Sequence, residues 1–566
     1  MRRLDEGPDP SGSPVAIIHG HNKPLKSISP LFVKGFFTLP ATPAVPESSG
    51  SSQLLRSSAV IGFFTLLSRI TGFIRDMIIA GAFGAGLGAD AFFVAQKLPN
   101  FLRRLFAEGA FSTAFVPVFA DHLAAGDAQE TRHAVQAVFT HLAMWLLIVV
   151  AVAQAAMPLL VMIVAPGFID EVGKFDLAVL LTRITFPYIF FISLAALAAG
   201  ILNSHRHFAI PAATPILLNV CMILGATLFT RFFDPPVIGL AVGLTLGGIL
   251  QLSWQLPAIA RLGLGFRIRW EPHHPSIRRI LTLMGPSVLG VSVAQINLLF
   301  DLFLASWLPG GSISYLYYAD RLLEFPLGLI AIALSTAILP LLSAKAACGD
   351  ETGFKQDLNT ALRMVLFLTL PATVALIILR EPILALLFER GAFAPETTQQ
   401  TAHALLAYAL GLTALATVKV TAPAFYAMKD TRTPVRIAIV CLIANMGMNV
   451  VLMFPMQHAG LALATSLTGF LNAGLLLRAL RSKIGIFAGP ELRRTLWQAV
   501  VAALLMGIFL FWVREWFWSR TLSGLGQALM VTGMLTGAGT LYLLTARVLG
   551  MTEIQFMLQA LRRRKS

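Results

Sequence analysis

The residues whose types could do chemistry are concentrated between Ser68 and Pro117, a stretch long enough for two membrane spans and a short turn. Ionisable side chains recur within it: Arg69, Arg75, Asp76, Asp90, Lys97, Arg103, Arg104 and Glu108. A charged side chain at the bilayer centre costs roughly 2.5–3.5 kcal/mol on insertion scales, so it is typically found facing water, a partner or a substrate. The stretch therefore predicts a polar cavity within a membrane protein.

The spacing of these residues indicates how helices would present them to the cavity. Gln96, Asn100 and Arg103 follow one another at i, i+4 and i+7, which places them on one helical face. The later segment SISYLYYADRLLEFPLG mirrors this arrangement, and its polar residues share one face of a helix: Ser314, Arg321 and Glu324. Two separate parts of the chain are thus expected to line one cavity.

The cavity predicted in this way is led by arginine: Arg69, Arg75, Arg103 and Arg321. Guanidinium groups bind phosphate through paired hydrogen bonds and stay charged at any relevant pH, so the cluster suits a phosphate or pyrophosphate group. Asp76, Asp90 and Glu324 are expected to hold the arginines in place and to limit their mutual repulsion. The alternative for Arg69 and Arg104 is that they extend to the membrane surface.

Composition defines the class of protein. Of the 566 residues, 56% are hydrophobic and 13% are charged, which excludes a soluble domain. Apolar blocks of roughly 20 residues recur without the alternation of barrel strands, so we predict an all-α polytopic fold. The net charge of +15 is explained by basic cytoplasmic loops rather than by nucleic-acid binding. Three cysteines without paired spacing indicate neither a disulfide framework nor a metal site.

The chain predicts about fourteen transmembrane helices, approximately 58–82, 91–120, 134–163, 176–202, 211–230, 236–258, 278–307, 313–342, 361–387, 399–427, 434–455, 459–480, 495–513 and 524–547. Lys and Arg accumulate in the connections after even-numbered spans, so both termini are expected to be cytoplasmic. Residues 1–55, rich in Pro, Ser and Gly, are expected to be a disordered cytoplasmic extension.

An internal repeat divides the spans into two halves. Ala95–Leu98 corresponds to Ala319–Leu322, and Ser112–Ala114 to Ser335–Ala337, at a separation near 224 residues. Each half contains six spans, an even number, so the two lobes should be related by a pseudo-two-fold axis along the membrane normal. The expected organisation is an N-lobe at 56–265, a C-lobe at 266–485, and two additional spans with a basic cytoplasmic tail at 486–566.

A second polar group lies within the C-lobe spans: Asp301, Asn445, Asn449 and Thr465. Carboxylate, amide and hydroxyl oxygens are the ligands that a small cation such as sodium takes. Amides that hydrogen-bond between packed helices are the alternative explanation.

Several runs carry a resemblance to a known family: SRITGFIRD, DAFFVAQKLPNFLRRLFAEGAFSTAFVP, YYADRLLEFPLG and VKVTAPAFYAMKDTRTPV. They resemble the bacterial lipid II flippases of the MurJ/MviN type, within the MOP exporter superfamily. The resemblance implies fourteen helices with two MATE-like lobes, and a groove for the lipid tail formed with the last two spans. By this resemblance the substrate-binding residues are Arg69, Arg75, Asp76, Asp90, Asn100, Arg103, Ser314, Arg321 and Glu324.

The function expected from the resemblance is transfer of lipid II, an undecaprenyl-pyrophosphate-linked precursor of peptidoglycan, across the cytoplasmic membrane. No GxxxxGK[ST] motif occurs, so the driving force would be an ion gradient, for which sodium is a candidate, the membrane potential or consumption of lipid II outside. Cell-wall synthesis machinery is the expected protein partner, and the chain itself is expected to be a monomer. Alternatives are an exporter of another lipid-linked saccharide and a drug antiporter, which should line its cavity with carboxylates and aromatics. An enzyme would need an acidic metal cluster or a nucleophile with its base, and the sequence shows neither.

Overall fold

The computed structural model describes residues 47–105, 111–265, 267–487, 489–520 and 522–556. The side chains of residues 47–59, 286–291, 293 and 294 are left out of the description. The chain divides into one unit of residues 1–54 and a second of residues 55–566. Apart from the first residues of α1, every feature below belongs to the second. Most of the predicted amino-terminal extension, Glu108 and the basic carboxyl-terminal tail lie outside the described residues.

The described residues are helical and contain no strand. The helices of the first half are α1 (Glu47–Phe83), α2 (Leu87–Leu102), α3 (Ser112–Ala125), α4 (Ala128–Ala155), α5 (Met157–Val164), α6 (Lys174–Thr185), α7 (Tyr188–Ser204), α8 (Ala209–Thr227) and α9 (Val237–Arg261). Those of the second half are α10 (Pro275–Ala305), α11 (Ser312–Pro326), α12 (Ala333–Ala347), α13 (Glu351–Ile378), α14 (Arg380–Phe388), α15 (Pro395–Ala427) and α16 (Arg432–Ile484). The additional helices are α17 (Pro490–Phe517) and α18 (Gly524–Val548).

Local sequence explains where many of these helices begin. Pro275, Pro395 and Pro490 occupy the first position of α10, α15 and α17, where a missing N–H costs nothing. The side chain of Asp127 accepts hydrogen bonds from the first backbone N–H groups of α4, and Asp350 caps α13 in the same way. The helix starts are therefore set by residues close to them in sequence.

Ten helices in the described ranges are long and apolar enough to cross a membrane. They include most of the predicted spans, several of which are pairs of helices joined at a kink. The predicted spans 434–455 and 459–480 both fall within α16, which is broken at Gln457, where φ is +49°. The fold class is confirmed as all-α and multi-pass, whereas the count of fourteen spans stays a prediction.

The helices pack in a way that separates the extra pair from the junction between the halves. Within the halves, α8 packs on α9 and α15 on α16, while α17 packs on α13 and α18 on both α14 and α17. The halves meet where α11 contacts α2 and where α10 contacts α3 and α5. Phe93 on α2 stacks on Tyr317 of α11 with ring centroids 4.0 Å apart, so aromatic packing closes this junction.

Candidate functional site

A network of charged side chains lies at the junction of the halves, with Asp76 of α1 at its centre. Asp76 is only 2% exposed, and its Oδ1 accepts hydrogen bonds from Arg75 at 2.7 Å and from the Tyr317 hydroxyl at 3.0 Å. The Nε atom of Arg321 lies 3.2 Å from Asp76 Oδ2. Arg75 also donates to the Asn219 Oδ1 atom of α8 at 2.9 Å. One carboxylate therefore links arginines from both halves.

Arg321 is the member of this network that is most open to a ligand. Its side chain is 34% exposed, whereas the Arg75 side chain is 9% exposed. The guanidinium also pairs with Glu324 Oε2 at 2.8 Å, donates to the Tyr317 hydroxyl at 3.3 Å and lies 5.1 Å from the centre of its ring. Asp76, Glu324 and Tyr317 thus hold Arg321 in one orientation, as an arginine that binds an anion requires.

The other two predicted arginines are placed differently. Arg103 continues α2 and its Nε donates to Asn100 Oδ1 at 3.1 Å, as two residues that share the predicted helical face can. Arg69 is exposed, and its guanidinium lies against Gly328, where a Cβ atom would approach Nη1 to 2.6 Å. Gly328 belongs to a π-helical turn between α11 and α12, so Arg69 also reaches the second half.

Asp90 does not hold an arginine, which corrects the role expected for it. The carboxylate is 1% exposed and forms an ion pair with Lys174 Nζ at 3.2 Å. Its oxygens accept hydrogen bonds from Gly311 N at 2.7 Å, Ser314 N at 3.0 Å and Ser314 Oγ at 2.7 Å. Asp90 therefore caps the first turn of α11 across the junction, and substrate binding by Asp90 and Ser314 stays a prediction.

Further contacts join the halves at the same end, and together with those of Asp90 we call them the Asp90 seam. The Tyr318 hydroxyl donates to Gly84 O at 3.1 Å, and Gly167 N donates to Ser306 Oγ at 3.2 Å. Gly391 has φ of +57°, and a Cβ atom there would lie 2.3 Å from the carbonyl oxygen of Gly81. Only glycine fits this position without displacing the backbone.

The opposite end of the junction is bridged by polar side chains of α3 and α10. Arg279 Nη2 pairs with Asp121 Oδ2 at 2.7 Å, and both side chains are largely exposed. The neighbouring His122 Nε2 and Ser276 Oγ lie 2.7 Å apart. The halves thus touch at both ends of the predicted cavity, but the charges at this second end are in contact with solvent.

The predicted cation residues are brought together only in part. Asn449 Nδ2 donates to Asp301 Oδ1 at 2.6 Å and to Asn445 Oδ1 at 2.9 Å. The Thr465 hydroxyl instead donates to Leu461 O of its own helix at 3.2 Å. Asn297, which sequence reasoning missed, donates to Asp301 Oδ2 at 3.3 Å. No cluster of three or more His, Cys, Asp or Glu residues suited to a metal occurs in the described ranges.

Three other residues of the site were also missed by sequence reasoning. Asn219 is the single amide in the apolar sequence of α8, and such an amide at membrane depth is a signal for a polar partner. Tyr317 precedes Arg321 by four residues and so shares its helical face. Lys174 is the first residue of α6, and nothing in its local sequence indicates that Asp90 is its partner.

The fold has neighbours among solved structures. A multidrug resistance MATE family transporter of the MOP superfamily, in an inward-facing conformation, superposes with a TM-score of 0.60 at 16% identity, covering 74% of this chain and 95% of that one. A structure described as lipid II flippase MurJ, inward closed conformation, superposes with a TM-score of 0.74 at 29% identity, covering 87% and 98%. The fold that the chain shares with these structures, together with the buried charges between its halves, defines a multi-pass membrane transporter.

Sequence comparison identifies the family. The family described as lipid II flippase MurJ matches residues 79–527. A probable lipid II flippase MurJ of Vibrio cholerae is 42% identical over 515 residues, which are 89% of this chain and 98% of that protein. The lipid II flippase MurJ of Burkholderia cenocepacia is 40% identical over 465 residues, covering 81% and 90%.

The chain therefore belongs to the lipid II flippase MurJ family, and the resemblance of its motifs is confirmed. Members of this family are transporters of the bacterial inner membrane, so the prediction that the chain is not an enzyme is also confirmed.

Proposed function

We propose that the protein transfers lipid II from the inner to the outer leaflet of the cytoplasmic membrane. The observation that carries this proposal is the network around Asp76, which we call the arginine network. In it, carboxylates hold arginines of both halves at a junction inside a flippase fold. A diphosphate with a sugar–peptide head cannot cross hydrocarbon unaided, whereas its polyprenyl tail can remain in lipid. Paired hydrogen bonds from guanidinium groups suit the diphosphate.

Alternating access follows from a change in the contacts between the halves. With both termini cytoplasmic, as the loop charges predict, the Asp90 seam faces outward and the contact of α3 with α10 faces the cytoplasm. A closed Asp90 seam then excludes water from the outer side of the cavity while lipid II reaches the arginine network from the inner leaflet. Separation of the seam would release the head group outside.

The arginine network is tested by substitution. Arg321→Ala removes a charge-assisted contact worth about 1.5–3 kcal/mol, so affinity for lipid II should fall roughly ten-fold or more. Arg75→Ala should act in the same direction, and Arg321→Lys should restore transfer only in part, because an ammonium group cannot form a bidentate pair. The measurement is an assay of the leaflet that holds lipid II, together with growth of a depleted strain.

The matched control is Arg231→Ala, because Arg231 is an exposed arginine in the turn between α8 and α9, away from the network. Protein abundance and melting temperature are measured for every variant. If Arg321→Ala and Arg75→Ala each transferred lipid II at the normal rate and at wild-type abundance, the proposed role of the network would be overturned.

We propose sodium as a coupling ion bound by Asp301, Asn297, Asn445 and Asn449, a group that we call the Asp301 cluster. The membrane potential is the alternative driving force. Two oxygens of the cluster, Asn297 Oδ1 and Asn449 Oδ1, are buried and have no hydrogen-bond partner among the described residues. A small cation would satisfy both together with the Asp301 carboxylate, and it would neutralise that charge within the membrane.

Sodium binding to the purified protein should be lost in Asp301→Ala and retained in Thr465→Val, since Thr465 bonds within its own helix. Isothermal titration with NaCl against a choline chloride background measures this directly. Equal sodium affinity of the wild type and Asp301→Ala would return the cluster to the alternative of packing amides.

A further inference from the structure

Three arginines gather where the end of α17 meets the kink between α13 and α14, and we call this group the arginine corner. Arg514 Nη2 lies 3.3 Å from Glu381 Oε2, and its Nη1 donates to Ile378 O at 3.3 Å. Arg520 Nη2 lies 4.0 Å from the same Glu381 oxygen. Arg380 donates from Nη1 to Ile377 O at 2.5 Å. Glu381 is therefore the carboxylate that Arg514 and Arg520 share in the described part of the chain.

Several N–H donors of the arginine corner have no hydrogen-bond partner among the described residues. The Nε atom of Arg380 is buried and has no hydrogen-bond partner in the part of the chain that the structure describes. Arg514 and Arg520 share Glu381, and Arg514 also donates to Ile378 O, so most of their N–H donors have no partner among the described residues. Even if the exposed Glu515 is counted, the group carries one net positive charge. The donors of the partly exposed Arg514 and Arg520, with this net charge, suit an anion that approaches from outside the protein.

An apolar groove borders the arginine corner on the lipid-facing side of α13 and α17. It has a volume of about 310 Å³ and is lined by Val374, Ile378, Leu504, Gly507, Ile508, Phe511 and Trp512. Gly507 brings the helices together, since a Cβ atom there would lie 2.9 Å from Val374 Cγ1. Ile378 lines the groove with its side chain while its carbonyl oxygen accepts from Arg514, so groove and corner are continuous.

Exposed aromatic side chains at the end of α17 indicate that the arginine corner lies at the membrane interface. Trp512, Trp516 and Phe517 of α17 are each more than half exposed. Tryptophan is enriched at the boundary between hydrocarbon and head groups, where the phosphates of membrane lipids also lie. The arginine corner is thus at the depth of lipid phosphates, and the α13–α17 groove runs from it into the hydrocarbon.

We propose that the arginine corner binds the phosphate of a membrane phospholipid, with one acyl chain in the α13–α17 groove. Guanidinium groups form bidentate hydrogen bonds with phosphate oxygens, and the partly exposed side chains of Arg514 and Arg520 can present such donors. The groove holds about ten methylene-sized groups, taking each as close to the ~30 Å³ share of a water molecule. That volume fits much of one acyl chain but only a small fraction of a polyprenyl tail, so it favours a phospholipid as the occupant. The site is separate from the arginine network, and it does not depend on the proposed transport of lipid II.

Native mass spectrometry of the purified full chain tests this site, with phosphatidylglycerol and undecaprenyl phosphate as separate probes. The wild type should retain one tightly bound phosphatidylglycerol. The double variant Arg380→Gln/Arg514→Gln should weaken its retention at least ten-fold, as loss of charge-assisted hydrogen bonds predicts. Ile508→Trp, which fills the groove from its exposed side without touching the arginines, should weaken it as well.

Arg231→Gln is the matched control, because Arg231 is an exposed arginine beside the aromatic Phe232 and is not among the residues that line the α13–α17 groove. Melting temperature confirms folding, and Arg520→Gln replaces the double variant if that variant unfolds. Loss of retention in the corner and groove variants alone supports the site. Unchanged retention in them, an equal loss in Arg231→Gln, or tighter binding of undecaprenyl phosphate than of phosphatidylglycerol would each overturn it.

Discussion

Replacing Asp90 with alanine should open the Asp90 seam without unfolding the protein. The substitution removes one carboxylate that accepts three hydrogen bonds across the junction, two of them from backbone N–H groups at the start of α11. Its ion pair with Lys174 lies within the first half, so that pair contributes in both the closed and the open arrangement. Of the contacts that Asp90 makes, only these three hydrogen bonds are broken when the halves separate.

The size of the effect follows from these contacts. A hydrogen bond to a charged group contributes about 1.5–3 kcal/mol. Since three bonds share one carboxylate, their energies do not add fully, and we take about 3 kcal/mol for the set. The ratio of closed to open molecules should then fall roughly a hundred-fold. Ser314→Ala removes only the hydroxyl bond and should lower the ratio by about ten-fold.

A cysteine at Ser306 reports the opening. Ser306 is 2% exposed, and its Oγ accepts from Gly167 N across the Asp90 seam, so a thiol there should react only when the seam separates. The native cysteines are first replaced by alanine: Cys221, Cys348 and Cys441. The rate of maleimide labelling of the purified protein should rise in the order wild type, Ser314→Ala, Asp90→Ala.

The control is Asp176→Ala, which removes an exposed carboxylate from the first turn of α6, close in sequence to Lys174. Its labelling rate should match that of the wild type. If Asp90→Ala also labelled at the wild-type rate, with an unchanged melting temperature, the hydrogen bonds of Asp90 would not control the seam.

Two predictions concern the connections of the second half. Arg363 of α13 pairs with the buried Glu553, which follows α18, at 2.6 Å. Removing one partner of such a pair costs about 3–5 kcal/mol, so Arg363→Met should expose the segment after α18 to limited proteolysis. Arg363→Lys should protect that segment in part. Hydrogen bonds from Lys483 and Thr433 hold the pKa of Asp430, in the α15–α16 connection, below its ordinary value. Its stabilising contribution is therefore complete above the ordinary Asp pKa of about 3.9 and is lost as pH falls through the lower folded value. The melting temperature of the wild type should exceed that of Asp430→Asn at neutral pH, and the two melting temperatures should converge only in strong acid. A constant difference between them across that pH range would contradict the stabilising role of the ionised Asp430.

The fold class was predictable because its signals are local. Apolar length, helix caps and helix-starting prolines each act within a few residues, and they agree with the described helices. The number of spans was less accessible, because α16 continues past a break at Gln457 and several predicted spans are pairs of short helices. A kink depends on packing with neighbouring helices, which a hydropathy pattern does not contain.

The charged members of the network around Asp76 (Arg75, Asp76, Arg321 and Glu324) were predictable from the sequence, whereas most of their pairings and the polar partners Asn219 and Tyr317 were not. Helical spacing correctly placed Arg321 beside Glu324, since residues three apart on a helix are neighbours. Spacing also placed Asn100 beside Arg103. The partner of Asp76 on the other half, and the amide of Asn219, come from helices distant in sequence, so no spacing rule could identify them.

By itself the sequence determined that this chain is a multi-pass helical membrane protein, that it repeats internally, and that its charged motifs resemble those of lipid II flippases. These properties depend on composition and on order along the chain. Only the tertiary structure decided which charges meet: Asp90 with Lys174 and the start of α11, and Asp76 with arginines of both halves. The physical reason is that a helical pattern specifies which residues share a face, whereas the approach and rotation of separate helices decide what that face touches.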